Sequence, residues 1–175
     1  MKLPAQDKID DGIFSAIGLV MVTTSQVHAA MAFQLLRLLY PADQKQTANA
    51  MVITFGMKVD TLLGLMKSLV GLHFSKIAID FDAAVDVLRD SFTKKRDVLA
   101  HHAAGIATKP DRITVYKMKT VGKITLSKYD LTEKQIRKWA ADIHSQAQAI
   151  DRLLTSAGVP KLEASGAIFG SILLP

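Results

Sequence analysis

At 175 residues the chain can bury one proper core but not two full-sized ones, and its 49% hydrophobic, 22% charged make-up excludes a disordered chain. The absence of cysteine excludes disulfides, thiolate metal ligands and thiol nucleophiles together, and fits a cytoplasmic home. A net charge of +6 favours polyanionic partners. We therefore read residues 1–175 as one domain.

In chain order, the first predicted element is a helix from about Asp7 to Leu39, stopped by Pro41. Its stretch from Gly12 to Leu36 carries no formal charge and exceeds the roughly 18 to 20 residues that span a bilayer. Thr23, Thr24, Ser25, Gln26 and His28 in its middle, with Gln34 and Arg37 beyond, argue against a membrane span. Ala30-Met31-Ala32 resembles an export cleavage site, but Asp7, Asp10 and Asp11 spoil the basic segment such a signal needs. No membrane partner is expected. From Val27 to Leu39 the helix is apolar on nearly every face, so it must be covered on all sides, in part by a second subunit.

A second helix is predicted from Asp43 to Leu72, with Met51, Val52, Phe55, Val59, Leu62, Leu63, Met66 and Leu69 approximating a helical repeat. A third runs from Asp80, as N-cap, to Ala104, with Phe81, Ala84, Val85, Leu88, Phe92 and Leu99 on one stripe and Gly105 as its stop. Ile113 to Tyr116 and Val121 to Leu126 alternate and are β-branched, which predicts a hairpin. A last helix starts near Leu131, where Thr132 and Gln135 have capping-box spacing, and runs to Gly158-Val159-Pro160. The fold class expected is all-α: an antiparallel four-helix bundle with a small β-hairpin inserted before the last helix. The apolar tail, residues 160–175, is expected to dock on the bundle or on a partner subunit.

The common cofactor and metal signatures are missing. Neither glycine-rich phosphate loop occurs, the histidines at 28, 73, 101, 102 and 144 form no H-x-x-x-H pair, and no G-x-S-x-G elbow is present. No cofactor and no metal are expected. His28 and His73 read as packed core or interface histidines and Trp139 as core. Lys117, Lys119 and Lys123 read as a solvated strand edge.

The segment Lys94-Lys95-Arg96-Asp97-Val98-Leu99-Ala100-His101-His102 crowds cations, an acid and two histidines at the end of the third helix. It resembles the HEPN family, whose hallmark is Arg, then a polar residue, then His after four to six intervening positions, late in a helical bundle. Arg96, Asp97 and His101 match that hallmark, and His102 also satisfies the spacing. The resemblance implies a homodimer whose cleft gathers these residues and, in many members, a metal-independent ribonuclease, including toxins of toxin–antitoxin pairs. Arg96, His101 and Asp97 would then be catalytic, with Lys94, Lys95 and His102 contacting RNA. The alternative is a non-enzymatic interaction module that binds a partner protein, such as an antitoxin, or a nucleotide. Geometry adds a constraint. Residues five apart on a helix lie about 140° apart around its axis, so one helix presents Arg96 and His101 together poorly. Asp97 and His101, four apart, share a face, which would let Asp97 orient the imidazole or simply form a local stabilising pair.

Overall fold

The computed structural model describes residues 11–39, 54–101, 112–119 and 125–160. The predicted helical stretches at 7–10, 43–53 and 102–104, the stop at Gly105, strand residues 121–124, the tail at 161–175 and His102 lie outside the described residues. The chain is mostly helical, with one antiparallel two-stranded hairpin before the last helix. The elements in order are α1 (Asp11–Leu39), α2 (Val59–His73), α3 (Ala78–Ser91), a π-helical turn (Phe92–Arg96), α4 (Asp97–His101), β1 (Arg112–Lys119), β2 (Thr125–Thr132) and α5 (Glu133–Ser156). Contacts divide them into two compact units, one of Met1–Thr24 with Ser91–Asp142, the other of Ser25–Asp90 with Ile143–Pro175.

In the first unit, Ile13, Ala16 and Val20 of α1, Val98 of α4, Ile113 and Val115 of β1, Leu131 of β2, and Ile136 and Ala140 of α5 are buried. The hairpin register pairs Arg112 with Thr132 and Lys119 with Thr125. The second strand therefore lies several residues later than predicted. Leu131 stands opposite Ile113 and Tyr129 opposite Val115, so the apolar positions of 129–131 complete the buried face better than residues 121–124 would. The turn-like run Ser127-Lys128-Tyr129-Asp130 concealed this, because its polar members project from the opposite face or sit exposed.

Thr132 begins α5 as a capping box: Gln135 N–H donates to Thr132 Oγ1 at 3.3 Å, and Thr132 N–H donates to Gln135 Oε1 at 2.9 Å. Ile136, Ala140, Ile143, Ala147, Ile150 and Leu154 then follow at helical spacing, all buried. Trp139 lies just off that line and is half-buried rather than fully in the core.

In the second unit, α2 and α3 form an antiparallel helical hairpin through the tight turn at Phe74–Ile77, where Ile77 N–H donates to Phe74 O at 3.0 Å. Lys67 bridges Asp82 and Asp86, and Arg89 reaches back to Asp60. Asp80 lies inside the first turn of α3, not at its N-cap, because this turn carries the chain into helix two residues earlier than predicted. The predicted second helix is also interrupted. Thr54 and Phe55 are helical, but Gly56 and Met57 turn and Lys58 is extended at φ −64° and ψ 145°. Gly56 supplies a weak helical position, and His28 Nε2 donates to the freed Met57 carbonyl at 2.8 Å. His28 is thus a half-buried, bonded histidine, whereas His73 is exposed in the last turn of α2, where its position suits the helix dipole.

The stretch of α1 from Met31 to Arg37 is buried by its own chain, while Leu39 at the end of the helix is exposed. Phe33 meets Phe55 edge-to-face at 5.3 Å. Arg37, only 3% exposed, donates through Nε to Pro160 O at 2.7 Å, through Nη2 to Val159 O at 2.8 Å and through Nη1 to Asp151 Oδ1 at 2.8 Å, and Nη1 also bonds Gln34 Oε1. Those carbonyls follow a Schellman end to α5, in which Gly158 has φ 82°, Gly158 N–H donates to Thr155 O and Val159 N–H donates to Leu154 O.

Replacing Arg37 by Met should cost about 2 to 4 kcal/mol, since the buried Val159 carbonyl and the part-buried Pro160 carbonyl lose charged donors. Asp151→Asn should cost about 1 kcal/mol or less, because that carboxylate is 42% exposed. Urea denaturation of both variants tests the ranking, and equal losses would contradict it.

Candidate active site

Every predicted site residue among those described lies on one short run, the π turn and the first turn of α4. The π turn arises where Asp97 N–H bonds the Phe92 carbonyl, five residues back instead of four. Val98, not the predicted Leu99, is fully buried in this run. Single π turns inside helices occur frequently at functional sites. No feature of the sequence periodicity announces this one.

Arg96 Nη1 donates to Asp97 Oδ1 at 2.9 Å, and the two side chains are 39% and 37% exposed. This pairing of neighbours was not anticipated. Both side chains are thus paired at the surface and partly exposed. His101 closes the described part of α4, one helical turn after Asp97, and α4 packs against β1. Lys94 is exposed.

Lys95 has a partner that sequence reasoning missed. Its Nζ donates to Asp142 Oδ2 of α5 at 2.9 Å, while Lys138 Nζ donates to Asp142 Oδ1 at 3.0 Å. The Lys138–Asp142 pair was legible as an i, i+4 spacing, but Lys95, 47 positions from Asp142, was not. The bond from Lys95, then that from Lys138, holds the Asp142 carboxyl below the usual carboxylate range, against the opposing effect of its partial burial. On the hairpin, Thr114 Oγ1 donates to Asp130 at 2.6 Å, and with Lys128 this lowers the Asp130 carboxyl likewise.

Further along the same unit, the Glu133 carboxylate sits against Gly12 at the start of α1 and accepts from Arg137 Nε at 2.6 Å, while Arg137 also donates to Ser15 at 3.3 Å. A β-carbon at position 12 would collide with that carboxylate. Among the described residues no group of three or more His, Cys, Asp or Glu could hold a metal ion.

No family model matches the chain, and neither a curated protein nor a solved structure matches it.

Because the Asp142 pKa is lower in the folded than in the unfolded chain, its contribution is present above the unfolded value of about 4 and is lost as pH falls through the folded value. Asp142→Asn should therefore reduce stability near neutral pH by up to about 1 kcal/mol and narrow the gap to wild type in acid below about pH 4. Denaturant titrations at neutral and acidic pH measure this, and a deficit that persists undiminished in acid would refute the ionic role.

Proposed function

We propose that the chain is a HEPN-type RNA-acting protein built on a four-helix bundle, a metal-independent endoribonuclease or an RNA-binding protein derived from one. What carries this reading is where the positive charge lies. Among the described residues, the unit holding Arg96 has ten Lys and Arg against five Asp and Glu, an excess of +5, whereas the other unit has six against six. The electrostatic attraction for a phosphate backbone is thus concentrated on the half of the chain that bears the motif.

In the mechanism that the motif implies, the His101 imidazole takes the proton of a ribose 2′-hydroxyl. The 2′-oxygen then attacks the adjacent phosphorus, and the bond to the 5′-oxygen breaks as that oxygen receives a proton. A 2′,3′-cyclic phosphate and a 5′-hydroxyl result. Arg96 holds the negative charge that grows on the phosphoryl oxygens, a task for which a guanidinium is suited by its fork of donors. Asp97, bonded to Arg96, orients that fork.

We assign the working form to a cytoplasmic homodimer. Phe14, Leu19 and Val22 of α1 are 56%, 41% and 55% exposed, and Gly18 between them has open space where a side chain would stand, which suits close approach by a second copy of α1. As a toxin of a toxin–antitoxin pair, the protein would be held inactive by an antitoxin that covers the site.

Cleavage of mixed RNA in EDTA by wild type, Arg96→Ala and His101→Ala tests the chemistry. Each substitution should lower the rate by about a hundredfold or more while the variants stay folded. RNA bound but uncut by all three would favour the interaction-module reading, and cleavage undiminished in both variants would overturn the assignment.

A further inference from the structure

The cations of α5 crowd toward its N-terminal end. In α2 and α3 an acid stands in the first turn and a basic residue in the last: Asp60 and His73, then Asp80 and Arg89. In α5, by contrast, Lys134, Arg137 and Lys138 crowd the first two turns, with Glu133 the only acid there, and the last turn has no cation. Lys134 stands in the first turn, where the dipole disfavours a cation, whereas Arg137 and Lys138 lie a turn further on and pair with Glu133 and Asp142.

Glu133 engages Arg137, which leaves Lys134 and Lys138 four residues apart on one helical face. Lys138 is 72% exposed, and its contact with Asp142 occupies one of its three donors. Because Lys95 of the π turn occupies the other oxygen of the same carboxylate, Lys138 and Lys95 stand side by side, and the single acid neutralises one of the two. Lys95 is followed directly by Arg96. The basic groups thus run from Lys95 through Lys138 to Lys134, from the π turn that also carries Arg96 to the start of α5.

We propose that Lys134 and Lys138 form a phosphate-contacting strip that holds the backbone of single-stranded RNA flanking the nucleotide at Arg96. The proposal rests on the RNA-acting reading above and adds to it a site on α5 outside the motif. A strip of this kind contributes affinity with no sequence preference, and its contribution is weakened by salt.

The test is equilibrium binding of a labelled single-stranded RNA, blocked against cleavage by 2′-O-methyl groups, across a series of potassium chloride concentrations. For Lys134→Gln/Lys138→Gln the slope of log affinity against log salt should shrink by about 1.4, roughly 0.7 for each contact. Lys58→Gln/Lys76→Gln, in the unit without excess charge, should leave the slope unchanged. The Lys134/Lys138 variant should stay folded, since the Lys138–Asp142 pair it loses is largely exposed on the lysine side and Lys95 still holds Asp142. Wild-type binding with an unchanged slope in that variant would overturn the strip and leave the RNA reading standing. No RNA binding by the wild type at any salt would overturn both. Normal cleavage by Arg96→Ala together with the expected slope change would remove the catalytic assignment and keep the strip.

Discussion

A buried guanidinium organises the half of the chain that holds the ends of α1 and α5. Taking an arginine out of water costs several kcal/mol, and that cost is offset only where each donor finds a good acceptor. Arg37 finds four: the Val159 and Pro160 carbonyls, Asp151 and Gln34. Two of these exist because Gly158, at φ 82°, ends α5 and sends the backbone back so that the next carbonyls face α1. The freedom of one glycine and the charge of one arginine are therefore coupled. Around them Met31, Leu35, Leu36 and Leu154 are sealed from solvent.

This explains how one helix can combine extreme apolarity with a charge. By length and composition α1 is apolar enough to cross a membrane, and a third of its most apolar window is buried inside the chain itself. Its later part is apolar on all faces because α2, α3 and the end of α5 belong to the same packed unit and leave little of it in water. Its earlier part differs, with a buried line of Ile13, Ala16 and Val20 and an exposed line of Phe14, Leu19 and Val22. Thr24, in the middle, satisfies its hydroxyl on the carbonyls of Val20 and Met21, so the polar residues there disturb neither part.

Local signals were the legible ones. The Thr132–Gln135 capping box, the stop at Gly158 and the apolar repeat of α5 are determined by residues within a turn of each other, and each stands where its spacing places it. What stayed hidden depends on partners distant in sequence. The helix break at Gly56–Lys58 is completed by His28, the second strand is selected by Ile113 and Val115 opposite it, and Arg37 reads as an interruption until its acceptors at 159 and 160 are known. The site divides in the same way. Arg96, Asp97 and His101 could be named from spacing, but the π turn that carries Arg96 and the Asp142 that holds Lys95 could not, because neither leaves a periodic trace.

The two units also use charge differently. In the second, the acids and cations are matched in number, and Lys67, Arg89 and Arg37 each meet a carboxylate from another helix, which is the arrangement expected where ion pairs serve packing. In the first, acids are fewer than cations among the described residues, Asp142 serves two lysines, and Lys134 stands in the first turn of α5, where the dipole disfavours a cation. Self-repulsion of this sort weakens a fold and is useful only if something negative is attracted. That argument for a polyanionic ligand is independent of the spacing between Arg96 and His101. Three of that unit's cations, Lys94, Lys95 and Arg96, stand together on the π turn.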